Sequence, residues 1–185
     1  MIIILEGPDG SGKSTLAETL AEETGYEVYH SGNPKTAEEL VANSTKCEEL
    51  IAKGDIIIDR LPVISEIVYS TAFDREVRMK VDGKITELTK TPGEKWMLVY
   101  CNPDLLDPKT GKAHKTQEWQ DKVKGSLELI RDLYDQIIGH VAELYKDQVI
   151  QYDYSKDKDL EFIIKRIRDN IRDEKKSQES SQEES

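Results

Sequence analysis

Gly7-Pro-Asp-Gly-Ser-Gly-Lys-Ser14 fits the spacing G-x-x-x-x-G-K-[ST] at every position. It stands between an apolar run, Ile2 to Glu6, and a segment with helical patterning from about Lys13. Glycines let the backbone wrap closely, so that several N–H groups point inward at phosphate oxygens while a helix N-terminus adds favourable partial charge. Such a cradle suits the phosphates of ATP. Lys13 is then expected at the β- and γ-phosphates, the Ser14 hydroxyl on Mg²⁺, and Thr15 on the α-phosphate side. The nucleotide-binding candidates are Gly7, Pro8, Asp9, Gly10, Ser11, Gly12, Lys13, Ser14 and Thr15.

A second candidate set begins at Asp59-Arg60, which closes another apolar run and is followed by Pro62, Ser65 and Tyr69. In a parallel sheet the ends of the first and third strands can lie side by side, which brings Asp59 to the magnesium and the acceptor. A carboxylate there can hold the metal or take a proton from an acceptor hydroxyl. The expected metal ligands are Ser14 and Asp59, and the expected catalytic residues are Lys13, Asp59 and Arg60. A surface ion pair between Asp59 and Arg60 is the plainer alternative.

The elements that must position these residues follow from patterning. Ile2 to Glu6, Glu27 to His30, Asp55 to Asp59, Trp96 to Cys101 and Gln148 to Tyr152 read as short strands, the first, third and fourth with the apolar centre of a buried strand. Helical segments separate most of them: Lys13 to Gly25, Thr36 to Lys53, a stretch around Pro62 to Tyr69, one long helix from Gln117 to Tyr145, and Lys158 to Arg172. This alternation predicts an α/β fold, a five-stranded parallel sheet with helices on both faces. The structure of the charged segment from Phe73 to Gly93 is left open. Residues 1–174 are expected to form one domain with a lid near 105–118, and 175–185 a disordered acidic tail, since Ser177 to Ser185 has no apolar residue.

The chain has 185 residues, room for one domain large enough to fold without disulfides or a structural metal. Lys+Arg 26 against Asp+Glu 37 leaves a charge of -11, which disfavours a general nucleic-acid coat. No apolar run reaches the roughly 20 residues of a membrane span, and the start lacks the charged opening of a signal peptide, so a cytoplasmic protein is expected. Cys47 and Cys101 lack metal or redox spacing and read as reduced core residues. His30, His114 and His140 are too scattered for a metal site and read as surface or packing residues. Oligomeric state is open.

Two stretches carry a family resemblance. Ile3 to Thr15 resembles the opening of thymidylate kinases, and Asp59-Arg60 with Ser65 and Tyr69 resembles their second signature. The resemblance implies a P-loop NTPase fold of nucleotide-kinase type and γ-phosphoryl transfer from ATP with Mg²⁺. It also implies Asp9 at the acceptor sugar, Arg60 near the transferred group and Tyr69 lining the pyrimidine pocket. No Asn-Lys-x-Asp guanine reader is present, and the chain lacks the length of most motor ATPases.

The departures concern the acceptor. Where thymidylate kinases carry Arg-Glu-Pro-Gly after the second strand, this chain has His30-Ser-Gly-Asn-Pro34. Where their lid supplies arginines, Asp107 to Lys115 offers Lys109, Lys112, Lys115 and His114. An acceptor phosphate must be neutralised before a γ-phosphoryl group approaches it, whereas a neutral hydroxyl needs a base. The missing arginine, with the pattern from Asp59 to Tyr69, is similar to a bacteriophage branch that phosphorylates 5-hydroxymethyluracil in DNA. That acceptor is the expected one. A thymidylate or other deoxynucleoside monophosphate kinase, favoured by the acidic charge, and a P-loop ATPase without an acceptor are the alternatives. A DNA acceptor requires a cationic face, for which Lys80, Lys84, Lys90, Lys95 and the lid lysines are candidates, and adenine contacts are expected from the lid side and Tyr152 to Lys156.

Overall fold

The computed structural model describes residues 1–79, 95–103 and 117–183. The proposed lid lysines Lys109, Lys112 and Lys115, with His114, Lys80, Lys84 and Lys90, lie outside these residues. Five parallel strands form the sheet: β1 (Ile2–Glu6), β2 (Glu27–His30), β3 (Ile56–Asp59), β4 (Trp96–Cys101) and β5 (Val149–Tyr152). Their order is β2-β3-β1-β4-β5, so β1 runs between β3 and β4, as expected for the two candidate sets to meet.

Side chains of a strand alternate between faces, and here both faces are covered, which explains the uninterrupted apolar runs. Ile2, Ile4, Ile56, Ile58, Trp96, Leu98 and Tyr100 pack on one face. They meet α2 (Ala37–Lys53), α3 (Pro62–Ala72) and α5 (Leu127–Leu144), for instance through Cys47, Ile64, Val68, Ile130 and Tyr134. Ile3, Leu5, Ile57, Met97, Val99 and Cys101 pack on the other, against Leu16 and Leu20 of α1 (Lys13–Thr24) and Ile163 and Ile167 of α6 (Asp157–Glu183). Both cysteines are buried, and burial pushes each thiol up to about 12, which fits inert core residues.

Local signals fix the element ends. Thr36 caps α2 by accepting a hydrogen bond from the Glu39 N–H, and Pro62 opens α3 at a position where its missing N–H costs nothing. Two expectations are corrected. The long helix is two helices, α4 (Gln117–Gly125) and α5, because Gly125-Ser126 interrupts the backbone before the apolar stripe resumes. Residues 175–183, expected to be disordered, continue α6; extending a formed helix needs no new nucleation, and their Glu, Lys and Gln are good helix formers. Among the described residues, no helix is long and apolar enough to cross a membrane.

Candidate active site

All five strands point the same way, so their carboxyl ends share one edge of the sheet, and the candidate residues gather there. The β1–α1 loop passes so close to β4 that a Cβ on Gly7, whose φ is +142°, would lie 2.2 Å from the Cys101 carbonyl oxygen. Only glycine fits. Lys13, 5% exposed, folds back across the loop and donates to the Pro8 carbonyl (2.5 Å) and to Ser11 Oγ (3.0 Å). Burial, with repulsion from Arg60, lowers the Lys13 ammonium to about 8. An arriving polyphosphate can offer this cation a stronger partner than the loop does.

The expected approach of β1 and β3 is realised at 2.9 Å, where Ser14 Oγ donates to Asp59 Oδ2. Hydroxyl and carboxylate oxygens side by side are hard ligands of the kind that Mg²⁺ takes together with phosphate oxygens and water, so Ser14 and Asp59 fit that ion. The same Asp59 oxygen lies 2.9 Å from His30 Nδ1. His30, expected as a surface or packing residue, thus contacts a candidate site residue. It ends β2 in register with Asp59, and its side chain is half exposed. The Ser31 N–H and hydroxyl both reach the Asp59 carbonyl (3.3 and 3.4 Å), and Asn43 of α2 holds the Ser31 carbonyl (2.5 Å).

Arg60 follows with a left-handed backbone, φ +75°, a conformation costly for a side-chain-bearing residue. Two bonds from β1 fix it. The Arg60 N–H donates to the Leu5 carbonyl (3.0 Å), and the Leu61 N–H donates to Glu6 Oε1 (2.5 Å). The turn aims the guanidinium at Asp9 Oδ1 (2.6 Å) and at the Tyr69 hydroxyl (3.0 Å), with the Tyr69 ring beneath it. Arg60 thus pairs with Asp9 of the loop, not with its neighbour Asp59.

Three features escaped the sequence reading. Glu6 is fully buried, and burial pushes its carboxyl up to about 7 despite the Leu61 bond and the nearby Arg60 and Lys13. A lone carboxylate in Ile-Ile-Ile-Leu-Glu is the signal that was available. Glu66 of α3 is buried between Arg75 and Arg78, and Arg78 also donates to the Pro34 carbonyl of the β2–α2 loop (3.0 Å). Arg131 of α5 holds the residues after β4, donating to Asn102 Oδ1 (2.7 Å) and to the Pro103 carbonyl. On the far side of the loop, the Tyr154 ring after β5 lies 3.0 Å from where a Gly12 Cβ would be.

No protein-family model matches the chain. YorR, an SPbeta prophage-derived uncharacterized protein of Bacillus subtilis (strain 168), is 28% identical over 157 residues, which cover 76% of this chain and 84% of YorR. The crystal structure of YorR in complex with phosphorylated GDP aligns with a TM-score of 0.64 at 24% identity, over 93% of this chain and 96% of that one. Deoxyadenosine kinase from M. mycoides with bound dATP gives 0.62 at 17% identity, over 91% of this chain and 100% of the enzyme. Thymidylate kinase from Candida albicans gives 0.56 at 16% identity, over 94% and 92%. With its strand order, its loop and these likenesses, the chain has the P-loop NTPase fold of nucleotide-kinase type.

Proposed function

We propose that this chain is an ATP-dependent P-loop kinase that transfers the γ-phosphoryl group to a neutral hydroxyl on a thymine-type acceptor. The favoured acceptor is the 5-hydroxymethyl group of 5-hydroxymethyluracil in DNA, and the site of action is the cytoplasm, the host's if the gene is a phage's. The observation that carries the kinase reading is the 2.9 Å contact between Ser14 of the loop and Asp59 of β3. It sets a candidate base against the phosphate cradle. YorR, a prophage-derived relative whose structure holds phosphorylated GDP, and the deoxyadenosine and thymidylate kinases support nucleotide chemistry on this fold.

The acceptor oxygen attacks the γ-phosphorus in line, the bond to the β–γ bridging oxygen breaks, and ADP leaves. Loop amides and Lys13 stabilise the charge on the transferring group, and Arg60, aimed by Asp9 and Tyr69, lies beside it. Asp59, held by Ser14 and His30, receives the hydroxyl proton. Mg²⁺, when bound by Ser14 and Asp59, supplies neutralising charge to the phosphates. A neutral acceptor fits because the groups beside Asp59 are His30 and an Arg60 already paired with Asp9.

The test is transfer of label from γ-labelled ATP to duplex DNA containing 5-hydroxymethyluracil, with thymidine and thymidylate in parallel and Lys13→Ala as the control. Label on the DNA, lost in a folded Lys13→Ala variant, is expected. Label on thymidylate alone would favour the second reading, a deoxynucleoside monophosphate kinase, for which the charge of -11 speaks. ADP release with no labelled acceptor would mark an ATPase.

A further inference from the structure

We infer that Arg75 forms a binding site for a phosphate group of the acceptor that is not the reacting group; this rests on the kinase reading above. Glu66, one turn from Tyr69 on α3, has a side chain only 1% exposed. Arg75 clasps it with two parallel bonds, Nη1 to Oε1 (2.7 Å) and Nη2 to Oε2 (3.0 Å). From the other side come Arg78 Nη2 to Oε2 (2.8 Å), Arg78 Nε to Oε1 (3.1 Å) and the Arg78 N–H to Oε1 (2.9 Å). One buried carboxylate therefore holds two guanidinium groups.

The two are not equivalent. Arg78 also spends Nη1 on Pro34 and lies near Glu39, so its nitrogens are committed to the fold. Arg75 is a third exposed, and its Nε–H meets no acceptor among the described residues. Its placement is built. The chain reverses after α3 through Asp74, in a left-handed conformation (φ +48°), and the Arg75 N–H bonds back to the Ser70 carbonyl (3.0 Å), returning the guanidinium over the helix it has just left. A planar, pre-oriented fork with open N–H groups is a phosphate contact by its chemistry.

Position gives the ligand. Glu66 and Tyr69 share α3, Tyr69 touches Arg60, and Arg78 ties the cluster to the loop that leaves β2 beyond His30. The cluster thus belongs to the β2–β3 side of the sheet edge, while Tyr154 marks the opposite side of the phosphate cradle. An anion there belongs to the acceptor, as either a nucleotide phosphomonoester or a phosphodiester of a strand.

Binding measured by calorimetry separates these sources from each other and from the kinase reading. The probes are thymidine, thymidine 5′-monophosphate and a short oligonucleotide containing 5-hydroxymethyluracil, each with wild type, Arg75→Gln and Arg75→Lys. We expect Arg75→Gln to weaken the phosphate-bearing probes about tenfold, with thymidine and ATP changed less than about twofold, and Arg75→Lys to fall between. A loss on the monophosphate identifies the monoester, and a loss on the oligonucleotide alone the diester. No loss on either, an equal loss on thymidine, or a wild type that binds thymidine as well as both phosphate-bearing probes would overturn the site. If Arg75→Gln does not fold, an Arg75→Lys variant with unchanged binding overturns it as well. A selective loss without label transfer from ATP would leave the anion site standing and remove the kinase.

Discussion

Replacing Glu6 with Gln should change how stability depends on pH. Burial carries the Glu6 carboxyl from its ordinary 4.5 to about 7, a difference of about 3 kcal/mol between its folded and unfolded environments. Because the folded value is the higher one, the unfolded chain releases this proton first. The contribution to stability is complete below pH 4.5, declines as pH rises and is lost above about 7. Glu6→Gln keeps the shape and the acceptor for the Leu61 N–H but carries no titrating proton. Urea unfolding of both proteins from pH 5.5 to 8.5, without nucleotide, should show wild type losing about 2 kcal/mol relative to the variant, most of it before pH 7.5. Two curves that stay parallel within about 0.5 kcal/mol would refute the burial argument, and with it the account of how β1 holds the Arg60 turn.

Other substitutions test other joints of the site. Asp59→Asn preserves size and should lower kcat at least about a hundredfold while changing ATP affinity less than threefold; equal losses would make Asp59 a nucleotide-binding residue. Gly7→Ala must push the loop off the Cys101 carbonyl, so thermal unfolding should register about 2 kcal/mol or more of destabilisation. Although burial works against it, Arg78 and Arg75 hold the Glu66 carboxyl well below the usual range. Glu66→Gln should therefore cost about 3 kcal/mol at neutral pH, and the penalty should shrink as acid protonates Glu66 in the wild type.

The sequence carried the fold and the phosphate cradle because both are written locally. Five short strand signals, three of them apolar runs, alternate with helical patterns, and the loop from Gly7 to Ser14 is contiguous. Asp59 was reachable because strand order in such sheets is constrained, and it lies where that order puts it. The contact of His30 with Asp59 was not legible because it comes from register, His30 opposite Asp59, which pairs residues 29 positions apart. The pairing of Arg60 with Asp9 was not legible, because the two are 51 residues apart and a left-handed turn brings them together. Glu66 was passed over although a carboxylate among Val63, Ile64 and Val68 needs a cation; its two arginines come from a segment whose structure was left open.

His30 sits on β2, a four-residue strand at the rim of the sheet that pairs on one side only, with β3, and none of whose residues is fully buried. A rim strand of that kind opens at a lower free energy than the centre of a sheet, so its amides should exchange hydrogen faster than those of β1 and β4. If the acceptor binds on the His30 side as proposed, donor nucleotide and acceptor would then meet surfaces of unequal stiffness, since the Gly7–Ser14 loop grows from the central strand and His30 from an edge strand. An acceptor that engages His30 would close this rim and slow its exchange, and that protection could be read amide by amide even for a ligand that never reacts.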